Sequence, residues 1–331
     1  MKAVIPVAGA GLRLRPHTYT QPKPLIPVAG KAIIAFIVEE LERAGVQEFV
    51  FIIGYLGDKI RSFLDAQYPD LHKEFVVQNE PQGLGHAIWS ARENILQTDE
   101  IIIVLGDTIF DVDLRQFLGL PYSGLGVKVV DDPREFGVLE MGQDEFVSRV
   151  VEKPNIPKSN LALVGLYKIQ EPTLLIDCLD GNIASDFRTH GEFQLTDGLM
   201  CMIEKGVRFS PFTVNNWFDC GKKEILLETN ATLLAKRSHV HVGEHEFERS
   251  IIIQPVAIGN GCQISDSIVG PNVTIGDNAR IHRSIVQDSI IGNYASIEEV
   301  VLKQSIVGSD ASVKGLSQSL NIGDNTEIDF N

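Results

Sequence analysis

Short apolar runs recur along the first two thirds of the chain, at Ala3–Val7, Phe49–Ile53, Phe75–Val77, Ile101–Leu105 and Leu125–Val130. Their brevity and their β-branched and aromatic residues predict strands. Between several of them apolar positions recur three and four residues apart, over Ala32–Ala44 (ending at Gly45), Leu56–Ala66 and Leu84–Leu96, which predicts helices. Strands alternating with helices up to about residue 236 predict an α/β domain with a mostly parallel sheet. Ligands of such sheets bind beyond the C-terminal ends of the strands.

After about residue 250 the pattern changes. Five heptapeptides share one template: "IGNGCQI" from 258, "IGDNARI" from 275, "IGNYASI" from 291, "VGSDASV" from 307 and "IGDNTEI" from 322. They are spaced 17, 16, 16 and 15 residues apart, too close for a helical-pair repeat. Short β-branched runs with Gly turns at a fixed period predict stacked coils of a parallel β-helix. The organisation expected is a first domain over 1–236, a linker over 237–249 and a β-helix over 250–331. The stretch "KRSHVHVGEHEFERS" is rich in charge and histidine, and its His239, His241 and His245 are read as part of a solvated linker rather than as metal ligands.

The formal net charge is −15, and no Lys/Arg run suggests a basic patch. Nucleic acid and anionic membrane are therefore excluded as main partners, although a local cation cluster can still hold a small anion. The four cysteines show no C-x-x-C spacing, so neither a disulfide framework nor a zinc site is expected. No apolar run approaches 18 residues and no charged leader precedes one, so a cytoplasmic location without a membrane span is expected.

"GAGLRLRP" at 9–16 follows the first predicted strand, where a glycine-rich turn points backbone amides at phosphate. It is neither a dinucleotide fingerprint, since Leu14 stands at the third glycine, nor a Walker loop, which ends in G-K-[ST]. Arg13, Arg15 and a Lys23 set between two prolines nevertheless make a cationic cradle suited to a polyphosphate. Pro22 and Pro24 predict an extended, stiff backbone that aims Lys23 in one direction.

"AVIPVAGAGLRLRPHTYTQPKPLIPVAGK" resembles the signature of the sugar-1-phosphate nucleotidylyltransferases, and further stretches match in the same order. These are "QNEPQGLGHA" at 78–87, "VLGDTIF" at 104–110, "EFGVLE" at 135–140, "EKPNIPKSNLALVGLY" at 152–167, "GEFQLTD" at 191–197 and "WFDCG" at 217–221. Leu12, Ala32 and Lys222 depart from the usual Thr, Pro and Thr of the pattern. The resemblance implies a Rossmann-like sheet followed by a left-handed parallel β-helix. It implies transfer of a nucleotidyl group from dTTP or UTP to a sugar 1-phosphate, most simply glucose 1-phosphate.

Residue by residue, it implies that Ala8, Gly9, Gly11 and Arg13 meet the nucleotide phosphates, and that Gln78, Pro81 and Gly83 read the base. Gly137, Glu152, Lys153 and Gly165 would hold the sugar phosphate, and Asp107 and Asp219 would hold Mg²⁺. Arg13, Lys23 and Lys153 would carry the chemistry, while Asp111 and His86 adjoin these motifs without an assigned role. The β-helix suggests a homo-oligomer. A non-catalytic subunit of the same plan, or a guanylyl or bifunctional acyl-transferring relative in which His282 would serve, are the alternatives.

Overall fold

The opening apolar run forms β1 (Lys2–Val7), the centre of a nine-stranded sheet. Parallel to it lie β2 (Glu48–Ile53), then β3 (His72–Val77) outside β2, and β4 (Ile101–Val104) on the other side. Ala3, Val4, Ile5, Val50, Phe51, Ile52, Ile102 and Ile103 are fully buried, as strands covered on both faces require. The helices α1 (Ile33–Arg43), α2 (Gly57–Gln67) and α3 (Leu84–Ser90) connect these strands. The structure is a computed structural model that describes residues 1–236 and 247–315, and it divides into two units, Met1–Thr229 and Asn230–Asn331.

The sheet continues through β6 (Ser123–Val129), β7 (Gly137–Met141), β8 (Val147–Glu152), β9 (Leu161–Ile169) and β10 (Phe209–Thr213). Its order is β8–β7–β9–β4–β1–β2–β3, with β6 also paired to β9 and β10 to β6. Following the pairings through, β8 and β9 run against all the other strands. The sheet is thus mostly parallel and Rossmann-like, as expected. A separate two-stranded ribbon pairs β5 (Thr108–Asp111) with β11 (Asn216–Asp219), and α4 (Pro172–Ala184), α5 (Leu195–Glu204) and α6 (Lys223–Lys236) complete the elements used below.

Two expectations change. The helix predicted over Leu84–Leu96 is broken at Ala91, which leaves the helical region (φ −93°, ψ 12°) between the helical segments Leu84–Ser90 and Arg92–Ile95. Its apolar stripe survives, with Ala87, Ile88, Ala91 and Ile95 all buried. The cysteines also differ from expectation: Cys178 on α4 and Cys201 on α5 form a disulfide, their Cα atoms 5.9 Å apart. Local spacing could not reveal it, because the packing of two helices brings together residues 23 positions apart. Cys220 and Cys262 are buried free thiols. Among the described residues no helix is long and apolar enough to cross a membrane.

The second unit is the left-handed parallel β-helix. Three parallel sheets of four short strands each stack along it, through Ile251–Ile252, Val256–Ile258 and Gln263–Ser265 in the first coil. The heptapeptide spans the corner between the second and third sheets. Its first and last residues point inward, with Ile258, Ile264, Ile275, Ile281, Ile291 and Ile297 all buried. A Cβ on its glycine would fall 2.7 Å from Asp277 N at Gly259 and 2.4 Å from Ser309 N at Gly292, so stacked coils leave no room for a side chain. The copy at 322 and the three linker histidines lie outside the described residues.

The three outer faces differ. On the second sheet Thr274 is buried and donates to Asn230 Oδ1 at 2.6 Å. The third presents polar side chains in register, Gln263, Arg280, Ser296 and Ser312 in one row and Ser265, His282, Glu298 and Lys314 in the next. The first presents a row of Ile251, Ile268, Ile285 and Val301, of which Ile251 is 60% and Val301 74% exposed.

Ile281→Ala removes an inward methyl cluster from the middle of this stack. Thermal or urea unfolding of the β-helix is expected to show a loss of about 3 kcal/mol, the usual cost of such a cavity.

Candidate functional site

The loop after β1 turns back sharply at Gly11, which has φ +60° and ψ 40°. A Cβ there would sit 2.9 Å from Thr18 Cγ2 and 3.2 Å from Lys23 Cβ, so glycine is required on two counts. The Thr18 hydroxyl donates to Gly11 O at 2.9 Å and closes the loop. Gly9 has open space where its side chain would be, and Ala8 O accepts from Tyr55 N at 3.3 Å.

Lys23 differs from expectation. Pro22 is extended, but Lys23 starts a 3-10 turn over Lys23–Leu25 rather than continuing an extended run. The turn buries the lysine stem, leaving the residue 6% exposed. Its Nζ lies 2.5 Å from Asp107 Oδ2 and 3.4 Å from Asp219 Oδ1. Arg13, more exposed, places its guanidinium 3.7 Å from Asp219 Oδ2.

The two aspartates come from distant parts of the chain. Asp107 sits in the turn after β4, and Asp219 ends β11. The antiparallel ribbon puts Asp219 opposite Thr108, and Cys220 N donates to Asp107 O at 3.2 Å, which locks the two strand ends together. Thr108 donates its hydroxyl to Asp107 Oδ1 at 3.2 Å. No cluster of three or more His, Cys, Asp or Glu able to hold a metal exists among the described residues. The donor set does fit Mg²⁺, which typically takes one or two carboxylates, keeps waters and shares substrate phosphate. Lys23 Nζ reaches an oxygen of each aspartate, so both carboxylates converge on one point and are already paired with a cation there.

Asp107, Asp219 and Arg13 open onto a cavity of about 200 Å³ whose other walls include Gly137, Glu152, Gly165, Thr196 and Trp217. Glu152 ends β8 and accepts from Thr196 Oγ1 at 3.1 Å. Burial raises its pKa above the usual carboxylate range, opposed by the Thr196 hydrogen bond and by the charge of Lys153. Its charged form is accordingly lost as pH falls through that raised value. Lys153 is exposed and held at φ +39°, a conformation non-glycine residues rarely adopt, with its N–H donated to Phe136 O at 3.0 Å. It does not line the cavity.

Thr196, Phe136 and Trp217 were not singled out from the sequence, although each lies within a quoted motif or beside one. Trp217 packs edge-on to Phe136 at 4.8 Å, and its indole N–H is buried without a hydrogen-bond partner.

The residues assigned to the base form a second group. Gln78 follows β3 and is 8% exposed, with its amide nitrogen 3.3 Å from Gly83 O and 3.1 Å from His86 Nδ1. Pro81 is exposed on the loop between them. Gly83 has φ +109°, and a Cβ there would lie 2.5 Å from Phe193 O. Gly85 N donates to Phe193 O at 2.8 Å and Phe193 N to Gln82 O at 2.9 Å. The loop "QGLG" is therefore tied, backbone to backbone, to the "EFQLT" segment that supplies Thr196 to the cavity.

Comparison with known proteins agrees in both units. A family model described as nucleotidyl transferase matches residues 2–236, and one described as GlmU-like, C-terminal hexapeptide matches residues 228–291. The chain is 34% identical over 246 residues to the low-salt glycan biosynthesis nucleotidyltransferase Agl11 of Haloferax volcanii, covering 72% of this chain and 67% of that protein. It is 33% identical over 315 residues to a glucose-1-phosphate thymidylyltransferase of Streptomyces antibioticus, covering 88% and 87%. Among solved structures, a UDP-glucose pyrophosphorylase complexed with UDP-glucose superposes with a TM-score of 0.62 at 25% identity, over 71% of this chain and 99% of that one.

Gly83→Ala would force a side chain against Phe193 O and strain a positive φ. It is expected to lower stability by about 2 kcal/mol. Differential scanning calorimetry checks this, and an unchanged melting temperature would contradict the interlock.

Proposed function

We propose that this chain, which belongs to the nucleotidyl transferase family, transfers the nucleotidyl group of dTTP or UTP to a sugar 1-phosphate, with glucose 1-phosphate the preferred acceptor. The observation that carries this reading is the buried Lys23 ammonium on two aspartates that line one cavity together with the Glu152 carboxylate. The names of the Streptomyces relative and of the UDP-glucose pyrophosphorylase favour the same substrates.

The sugar phosphate oxygen attacks the α-phosphorus, the bond to the β-phosphate bridge breaks, and pyrophosphate leaves with that electron pair. The nucleophile is already an anion, so no general base is needed, and the protein's contribution is position and charge. Arg13 and Lys23 face the β- and γ-phosphates with the amides of Ala8, Gly9 and Gly11, and stabilise the leaving group. Glu152 accepts from sugar hydroxyls beside Gly137 and Gly165, and Lys153, which follows it outside the cavity wall, would reach the sugar phosphate only by turning its side chain inward. Asp107 and Asp219 would hold Mg²⁺, which when bound neutralises phosphate charge and aligns the reacting groups.

A non-catalytic subunit has no need for Arg13, Lys23, Asp107 and Asp219 gathered at one cavity. An acyl-transferring site at His282 has little to work with, since Nδ1 is engaged by Ser265 Oγ at 2.8 Å on the polar face of the coil.

Homo-oligomerisation is assigned to the apolar row Ile251, Ile268, Ile285 and Val301, with a second copy as its occupant. The rim beside it carries Arg249, Asp266, Arg283 and Glu299 in that order along the coil axis, paired within the chain as Arg249–Asp266 and Arg283–Glu299. Read backwards, this alternation sets each charge opposite its complement, so a copy with its coils antiparallel fits against the same rim.

Pyrophosphate release with Mg²⁺ over a grid of nucleoside triphosphates and hexose 1-phosphates tests the reaction. Release should need both substrates and be strongest with dTTP or UTP and glucose 1-phosphate. Asp107→Asn is expected to lower turnover at least about 100-fold with every pair, the scale of losing an electrostatic catalytic group, and near-normal turnover would refute the two-aspartate assignment. For assembly, light scattering on Ile251→Lys/Val301→Lys should show loss of self-association without loss of pyrophosphate release. A wild-type protein that is monomeric at all concentrations would refute the apolar row as an interface.

A further inference from the structure

His86 was assigned no role from the sequence, yet the structure places it against the residue proposed to read the base. A carbonyl oxygen only accepts hydrogen bonds, so the Gln78 atom 3.3 Å from Gly83 O must be its amide nitrogen. That same nitrogen lies 3.1 Å from His86 Nδ1. It can donate there only if Nδ1 carries no proton, which puts the imidazole in its neutral form with the hydrogen on Nε2. Both amide hydrogens are then engaged, and the side chain cannot turn over without setting its carbonyl oxygen against Gly83 O.

We infer that His86 is a positioning residue that locks the Gln78 amide with only its oxygen to offer, so that the site selects a base carrying an N–H donor there, uracil or thymine, over cytosine, whose N3 is an acceptor. This rests on the reading of Gln78 as the base-facing residue. It also narrows that reading, because an amide free to rotate would accept either base edge.

The surroundings of His86 keep it in the required state. Its ring packs between Trp89 at 5.7 Å and Phe193 at 6.4 Å. Burial lowers its pKa, Arg188 adds to that, and Glu80 opposes it. Arg188 lies over the Phe193 ring at 4.0 Å, and beyond Trp89 stand Arg92, 4.1 Å from its ring, and Asp180, bonded to its indole nitrogen. The lock therefore persists below the ordinary histidine range and fails as pH falls through the lowered value, when Nδ1 becomes a donor facing an amide that also donates. Backbone ties hold the rest of the loop independently, with Gly85 N bonded to Phe193 O and Ala87 N to Gly83 O.

The test compares UTP with CTP, whose shared triphosphate cancels in the ratio. Calorimetric binding and initial rates of pyrophosphate release with glucose 1-phosphate are measured for wild type, His86→Ala, His86→Asn and Gln78→Ala, at about pH 8 and then stepwise down to the lowest pH at which the fold persists, because the lowered pKa of His86 puts its titration below the ordinary histidine range. Wild type should favour UTP by about tenfold or more at the higher pH, the worth of one mismatched hydrogen bond, and lose part of that preference at the lowest. His86→Ala should narrow the ratio about as much as Gln78→Ala, by raising the KM for UTP while kcat stays within about twofold. His86→Asn, whose carbonyl oxygen accepts at any pH, should restore the preference and remove its pH dependence.

A wild-type ratio in His86→Ala with turnover intact would overturn the lock and leave nucleotidyl transfer standing. No pyrophosphate from any pair, with a UTP preference in binding that His86→Ala still narrows, would overturn the transfer reading and leave the lock. A wild-type protein that binds neither nucleotide would overturn both.

Discussion

The cation–carboxylate cluster at Lys23 is the constraint on which the rest of the first unit depends. Asp107 and Asp219 are separated from Lys23 by 84 and 196 residues, and each is a carboxylate that resists approach to the other. Bringing them together without a cation would be repulsive; with a buried ammonium between them it is favourable. The sheet supplies the first aspartate at the end of β4, and the β5–β11 ribbon supplies the second. The glycine turn at Gly11 brings the lysine back under both. Removing any of these elements separates charges that are otherwise held within hydrogen-bonding reach.

The same economy of backbone governs the far side of the site. The loop at Gly83 and the segment before α5 are sewn together by main-chain hydrogen bonds too close for side chains. The first carries Gln78 and His86, proposed to meet the base, and the second leads into Thr196, which donates to Glu152. Substrate halves proposed to react with each other are thus held by two loops that cannot shift separately. The Cys178–Cys201 bridge adds a covalent tie between α4 and α5, the helix that begins with Leu195 and Thr196 of the cavity wall.

In the β-helix the division of labour is by face. Inward isoleucines make the core, and left-handed residues at the fourth heptad position, Gly261, Asn278, Tyr294 and Asp310, turn the corner. Gly, Asn and Asp are what that backbone favours, and Tyr294 is the one that stands against it. Because coil register repeats each outward residue above its equivalent, a single apolar position becomes a continuous row.

The sequence by itself determined the elements and the residues proposed to carry the chemistry. Apolar period marked the central strands and helices, a fixed repeat marked the coils, and the ordered motifs marked Arg13, Lys23, Asp107, Glu152 and Asp219, because these signals are local in the chain. What the tertiary structure decided is everything that depends on which segments pack: the cation shared by two aspartates, the disulfide between α4 and α5, and the contact of His86 with Gln78. It also turned Lys23 into a buried 3-10 turn and left Lys153 off the cavity wall, against a local reading of the first as extended. Local spacing carries no information about which segments will pack, and a side chain's protonation and partners are set by whatever packing delivers to it.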